Sequence, residues 1–217
     1  MKLILFGATG MVGAGVLREA VAAPEVEAVL CIGRRPSGLS HPKVRDLVLE
    51  DLFEFTAHET ELVGWDACIW AVGISSIGVE EAAYARVTEE LPLLWARGLL
   101  QLNPDSSFCY CSAAGAGGGS MWARVRQRVE KGVSTLPFRH VGVVRPAYIR
   151  PGPGIWSQVK LYNVGIALMS PIAPLLVRAF PFACTSSERL GRAMLRVVSG
   201  RADRFILESS DINRLGT

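Results

Sequence analysis

Histidine is scarce in this chain. Its three residues, His41, His58 and His140, stand far apart among 217, and that spacing excludes a metal centre built on clustered histidines. Cysteine is hardly more plentiful. Cys31, Cys68, Cys109, Cys111 and Cys184 are too few and too dispersed for a disulfide scaffold. Cys109 and Cys111 lack a second cysteine or histidine cluster that would complete a metal site. Cys31, Cys68, Cys109 and Cys111 lie in apolar, strand-like runs and read as buried thiols, so a reducing, cytoplasmic location is expected. An excess of one charge is also missing. Lys and Arg number 23 against 20 Asp and Glu, a net charge of +3, with the basic residues scattered. Nucleic acid is therefore not an expected partner. Internal repeats and low-complexity tracts are absent, and a targeting segment is not expected, since the apolar N-terminus is only strand-length and runs into a glycine turn.

A long unbroken apolar run is lacking as well. The uncharged stretch Leu161–Val177 is interrupted by Gly165, Pro171 and Pro174, and it falls short of the about 20 residues that a membrane-spanning helix requires. No transmembrane span is expected. A buried helix with an apolar loop is the leading reading. The alternative is an exposed patch for a lipid-like substrate, a peripheral membrane contact or a partner.

What the chain does have is a core-forming composition, 50% hydrophobic and 20% charged, in a length that suits one domain. It also has a glycine motif. Leu3-Ile4-Leu5-Phe6 runs directly into Gly7-Ala8-Thr9-Gly10-Met11-Val12-Gly13, and a helix follows from Met11 to about Ala22. A turn free of β-carbons lets backbone N–H groups approach a pyrophosphate, and the positive end of the following helix faces it. Gly7, Thr9, Gly10, Met11, Val12 and Gly13 are the candidate phosphate-binding residues. The strand before and the helix after are the context that separates such a motif from an ordinary glycine turn.

Further strands are expected at Ala28–Ile32, Val44–Leu49, Ala67–Val72, Ser107–Cys111 and Val141–Arg145, each short and largely apolar on both faces. Helical segments separate them. Gly78–Leu102 is mostly helical, with Pro92 implying a break or the first turn of a second helix near Thr88, and Ser120–Val133 is a helix with Ser120 as its N-cap. This alternation gives an α/β fold, a doubly wound parallel sheet (Rossmann fold) in the order 3-2-1-4-5-6. After Pro146 the pattern loosens into a Pro/Gly loop at 151–154, a helix near Ser186–Val198 and a short strand at Arg204–Leu207. The expected organisation is one NAD(P)-binding domain over 1–217, with 147–217 contributing a small C-terminal substrate lobe.

In such a sheet, ligands sit at the carboxyl ends of the strands. After the second strand comes Gly33-Arg34-Arg35, where an NAD site usually carries an acidic residue. Two guanidinium groups there suit a 2′-phosphate, so NADP(H) is favoured over NAD(H), against the plainer reading of a solvated basic turn. Asp51 and Leu52 follow the third strand and are candidates for the adenine; a turn or helix cap is an equal reading for Asp51. Ala71-Val72-Gly73 after the fourth strand is small enough for a ribose to pass close to the backbone.

Gly-Ala-Thr-Gly-x-x-Gly, Gly33-Arg34-Arg35, Asp51, Ala71-Val72-Gly73, Ser112-Ala113 and Arg145-Pro146 with its Gly/Pro loop together resemble the extended or atypical short-chain dehydrogenase/reductases, near the NAD(P)H-binding epimerase-like and NmrA-like groups. Within them the chain is similar to the Tat-interacting-protein-like oxidoreductases and their small bacterial relatives. The resemblance implies a serine that polarises a carbonyl, and a Tyr-x-x-x-Lys pair that moves a proton and holds the ribose. Ser112 fits the serine position. The Tyr and Lys positions hold Trp122 and Arg126. Indole has no useful acidity, whereas Arg126 can still bond a ribose as a permanent cation. Pro146 joins the cofactor-contacting set, and Tyr148 is an alternative acid. Relatives of this kind pair across the Ser120–Val133 helix and its neighbour, which makes a homodimer an expectation. Two functions remain open: an NADP(H)-dependent oxidoreductase or epimerase-like enzyme on a small or apolar substrate, and a non-catalytic NADP(H)-binding regulatory module.

Overall fold

The computed structural model describes residues 1–152 and 182–217. The stretch Leu161–Val177 lies outside them. Among the described residues, the main sheet has seven strands: β1 (Lys2–Phe6), β2 (Ala28–Gly33), β3 (Val44–Val48), β4 (Ala67–Trp70), β5 (Ser107–Cys111), β6 (Val141–Arg145) and β9 (Ile206–Glu208). Their order is β3-β2-β1-β4-β5-β6-β9, and every pairing is parallel. This is the expected doubly wound sheet with one strand more at its edge. The seat of β9 beside β6 is a long-range pairing that local pattern does not reveal. Two shorter strands, β7 (Tyr148–Arg150) and β8 (Cys184–Ser186), pair with each other in a separate small sheet.

Alternation along β1 shows how the core divides. Leu3 and Leu5 point to one face, where α1 (Met11–Ala22) and α5 (Ser187–Val198) supply Val16, Leu17, Leu190 and Met194. Ile4 and Phe6 point to the other, where α3 (Leu91–Leu102) and α4 (Met121–Ser134) supply Trp95, Leu99, Val129 and Val133. A short helix, α6 (Ser209–Leu215), closes the chain directly after β9. The central strands are buried on both faces, as their apolar runs predict. β3 departs from that expectation. It is an edge strand, with Val44 and Leu47 half-buried and Arg45, Asp46 and Val48 exposed.

Three local expectations are corrected. The strands expected to end at Leu49 and Val72 end at Val48 and Trp70, because the chain there leaves the ladder to form the site. Ser120 caps α4 through its backbone position, but its side chain makes no capping bond. Of the two readings of Pro92, the break is not seen and the first turn of a second helix is: the run is continuous, α2 (Glu81–Ala85), a π-helical turn (Arg86–Glu90), then α3 with Pro92 in its first turn. Proline lacks an N–H and is tolerated there, and the widened π turn absorbs the ring.

One aromatic cluster ties the second core layer to the loops above it. The Trp95 ring meets Phe6 at 4.6 Å and Phe55 at 5.0 Å between centroids, and Phe6 meets Trp70 at 4.4 Å. Trp95 is fully buried, and its indole N–H donates to the Leu52 carbonyl at 2.7 Å. Replacing Trp95 by Phe keeps most of the apolar volume and leaves that carbonyl without its donor. The expected loss is about 2 kcal/mol of stability, read as a lower urea midpoint with an unchanged slope. A wild-type midpoint would show that the bond contributes nothing.

Candidate functional site

The parallel register brings one end of every strand to a common edge. Phe6 lies beside Ile32 and Trp70, Trp70 beside Tyr110, and Cys111 beside Val144. The residues that follow, Gly7, Gly33-Arg34, Ala71, Ser112 and Pro146, therefore emerge together. A cleft of about 600 Å³ opens along this edge.

At its base is the glycine turn. Gly7 has φ +82, and a β-carbon on it would come within 2.6 Å of the Ala71 carbonyl oxygen. The turn closes with Gly10 N–H donating to the Gly7 carbonyl at 2.9 Å. A β-carbon on Gly13 would lie 2.0 Å from that same Gly7 oxygen, so the first turn of α1 is pressed against the loop. The first amides of a helix have no partner within it, which leaves Met11, Val12 and Gly13 as backbone donors. The first turn carries no acidic residue to offset the positive helix end.

The structure brings ten of the residues expected from sequence into the cleft lining: Gly7, Thr9 and Gly10 at the base, the exposed Arg34 and Arg35 after β2, Asp51 and Leu52 after β3, and Ala71, Val72 and Gly73 after β4. Asp51 also serves the turn reading, since its carboxylate accepts the Phe53 N–H at 2.9 Å. Glu50, Phe53, Ile74, Ser75, Val87 and Leu91 line the cleft too and were not foreseen. Val87 and Leu91 come from the π turn and the start of α3, for which Pro92 was the sole sequence signal.

Arg126 lies at the margin of this cleft. Its Nη2 is 3.5 Å from where a β-carbon on Gly73 would sit, its Nε donates to the Tyr84 hydroxyl at 3.2 Å, and its Nη1 donates to the Cys111 carbonyl at 3.3 Å. Trp122 packs against the Gly115 turn. Pro146 accepts the Ala114 N–H at 3.0 Å and so fixes the loop after β5 to the loop after β6. Tyr148 is not part of the cleft lining. It sits on β7 beside Cys184, half-buried, and its hydroxyl has no hydrogen-bond partner among the described residues. Burial, reinforced by Cys184 and opposed by Arg150, raises its pKa, so the phenol keeps its proton at neutral pH.

Ser112 is held in a way that sequence did not suggest. Buried at 4% exposure, it donates its hydroxyl to Glu130 Oε1 at 2.6 Å. Glu130, 3% exposed, takes a second bond from Arg145 Nε at 2.9 Å and a third from Arg145 Nη2, and Arg145 Nη1 reaches Glu208 at 3.1 Å. The Ser112 proton is thus committed to a carboxylate, which leaves the oxygen lone pairs as its remaining hydrogen-bonding capacity; Ser112 itself is not part of the cleft lining. The clue was a lone acidic residue between Val129 and Val133 on the apolar stripe of α4.

All five cysteines are free and buried. Burial pushes the Cys111 thiol up to about 11, the Arg126 charge opposing it. Burial and the Asp46 charge push the Cys31 thiol up to about 12. Both are packing groups rather than nucleophiles at neutral pH. A larger groove of about 850 Å³ lies between the 3-10 turn Thr56–Glu61 and α3. It contains none of the glycine turn, so the smaller cleft is the candidate site. No helix among the described residues is long and apolar enough to cross a membrane.

No family model matches the chain. It is 23% identical over 231 residues to the mitochondrial protein FMP52 of Chaetomium globosum, covering 98% of this chain and 96% of that one. It is 30% identical over 118 residues to the leucinostatins biosynthesis cluster protein T of Purpureocillium lilacinum, covering 53% of this chain and 44% of that protein. Solved structures share its fold at low identity. MoeE5 with UDP-glucose and NAD superposes with a TM-score of 0.70 at 15% identity, covering 95% of this chain and 74% of that one. A short chain dehydrogenase family protein from Francisella tularensis gives 0.68 at 12%, covering 95% of both chains. The UDP-glucuronic acid 4-epimerase of Bacillus cereus in complex with NAD gives 0.68 at 12%, covering 95% and 76%. The Rossmann-type fold is thereby established.

Two substitutions test this architecture. Gly13→Ala forces its methyl group into the Gly7 carbonyl, and the expected destabilisation is about 2 kcal/mol in a urea titration. Glu130→Ala strips the Arg145 guanidinium of its buried carboxylate, and about 3 kcal/mol should be lost. If Glu130→Ala unfolds at the wild-type midpoint, the clamp is not structural.

Proposed function

We propose that this chain is an NAD(P)(H)-binding oxidoreductase or epimerase-like enzyme of the short-chain dehydrogenase/reductase type, preferring NADP(H) and acting on a small or apolar substrate. The finer likeness to the Tat-interacting-protein-like oxidoreductases, a cytoplasmic location and a homodimer across α3 and α4 belong to the same proposal. The observation that carries it is the base of the cleft, where a β-carbon-free turn meets a helix end with no acidic residue in its first turn. That combination suits a pyrophosphate.

In this reading the Gly7–Gly13 turn, with Thr9 and the amides of Met11, Val12 and Gly13, holds the two phosphates. Arg34 and Arg35 take the 2′-phosphate by charge-assisted bonds. Asp51 and Leu52 would hold the adenine, and Ala71, Val72 and Gly73 would leave room for a ribose close to the backbone. Arg126 borders the second ribose, and Ser112 and Pro146 close the substrate side. A bound nicotinamide ring supplies or accepts a hydride. The protein's part is to position that ring, exclude water and manage one proton. Ser112, its hydroxyl donating to Glu130, would accept a hydrogen bond through its oxygen. Tyr148, protonated and without a partner among the described residues, is the candidate donor, and it stands on β7 outside the cleft lining.

A second reading is favoured by one observation. Trp122, at the position where the resemblance leads one to expect tyrosine, packs against the Gly115 turn and carries no proton it can release near neutral pH. On that reading the chain binds NADP(H) without turnover, and occupancy stabilises one conformation for a partner.

Fluorescence titration with NADPH and NADH separates these ideas, followed by NADPH oxidation against a panel of aldehydes, ketones and quinones. Turnover of any member supports the enzyme; binding without turnover supports the regulatory module. Replacing Arg34 and Arg35 together by Gln should weaken NADPH by about tenfold or more and leave NADH nearly unchanged. Equal loss for both cofactors would overturn the assignment of the 2′-phosphate.

A further inference from the structure

Arginines cluster where α4 meets α2 and the π turn. Arg86 of that turn is exposed and lies over the Phe53 ring, 4.8 Å from its centroid. Of the arginines on α4 and β6, all but one are paired with carboxylates. Arg124 pairs with Glu81 at 3.3 Å. Arg128 pairs with Glu81 at 3.5 Å and with Glu89 at 2.7 Å. Arg145, reaching α4 from β6, is paired with Glu130 and Glu208. Arg126 is more buried than Arg124 or Arg128, yet it makes no ion pair among the described residues. Its two hydrogen bonds go to neutral oxygens, the Tyr84 hydroxyl and the Cys111 carbonyl. Glu81 and Glu89 are engaged by Arg124 and Arg128. Glu130 stands one helical turn further along α4 but is held by Arg145 and Ser112.

The location of this charge matters. Nη2 makes no hydrogen bond to a described residue and lies beside Gly73, a residue of the cleft lining. Nε and one N–H of Nη1 are used, which leaves three guanidinium N–H groups for a ligand. A half-buried cation without a counterion is costly, and the cost is removed when an anion arrives. Ribose hydroxyls bond to such a group but do not neutralise it.

We infer that Arg126 is the receptor for an anionic group of the substrate, a carboxylate or a phosphate, at the end of the cleft that borders the cofactor's second ribose. This rests on the cofactor reading above and narrows its substrate class: the small or apolar body of the substrate carries one negative charge that docks on Arg126. The fork geometry of guanidinium matches both oxyanions. Tyr84 and the Cys111 carbonyl hold the side chain in place for that contact.

The test uses the full chain saturated with NADPH, titrated calorimetrically with benzoate, with inorganic phosphate and with neutral benzamide. Benzoate should bind at least about tenfold tighter than benzamide, and phosphate should bind measurably. Arg126→Met, titrated at an NADPH concentration that saturates the variant, should abolish that preference. Arg126→Lys keeps the charge without the fork and should retain part of the preference; it serves if the Met variant does not fold. Equal binding of benzoate and benzamide to the wild-type complex would overturn the inference and leave the cofactor reading standing. So would a preference that survives in Arg126→Met. Displacement of NADPH by phosphate or benzoate would place the charge in the cofactor's own phosphate site and overturn it as well. Failure of NADPH to bind at all is seen before any anion is added and removes the cofactor reading instead.

Discussion

The cleft depends on one close approach, the passage of the Gly7 backbone between the end of β4 and the start of α1. A side chain at Gly7 would strike the Ala71 carbonyl, and a side chain at Gly13 would strike Gly7 itself. Because neither residue has a β-carbon, β1 can turn sharply into α1 and direct free amides across the strand ends. If that turn were to open, the helix would move away from the sheet edge and the cleft would lose its base. The surrounding packing holds the approach in place. Gly15 of α1 lies so near Ser187 of α5 that a β-carbon there would be 2.7 Å from a backbone oxygen. The helix that presents the amides is thereby pinned from behind.

Around this base, the two sides of the cleft are stabilised differently. The side after β2 and β3 is loop, anchored from below by Trp95, whose indole grips the Leu52 carbonyl. The side after β5 and β6 is tied by charge. Glu130 gathers Ser112 and Arg145, and Arg145 reaches on to Glu208 at the end of β9. A buried carboxylate with three donors is costly to desolvate and costly to break, so it fixes geometry more than it adds stability. It also decides which way the Ser112 hydroxyl points.

Much of this was legible in local sequence. The apolar runs of β1, β2, β4, β5 and β6, the glycine spacing and the arginines after β2 are short-range features, and their physics is local: backbone conformation, side-chain volume and burial on both faces. Phe6 and Gly7 needed no knowledge of the rest of the chain to be read as strand end and turn. β3 was misjudged on burial because an edge position depends on which strands pair, and Val44–Val48 alone does not say so. The π turn at Arg86–Glu90 was seen only as a disturbance near Pro92, since a helix can break, kink or widen around a proline, and packing chooses among them.

By itself, then, the sequence determined the class of fold, the edge of the sheet at which a ligand would sit and the backbone turn that would receive it, because each follows from interactions a few residues apart. The tertiary structure alone decided that β9 pairs with β6, that Glu130 commits the Ser112 proton, that Tyr148 stands outside the cleft lining, and that Arg126 borders the cleft with no carboxylate partner among the described residues. Those outcomes join residues far apart in the chain. Hydrogen bonding and charge pairing at such separations depend on which elements the packed core brings together, and a linear pattern does not record that.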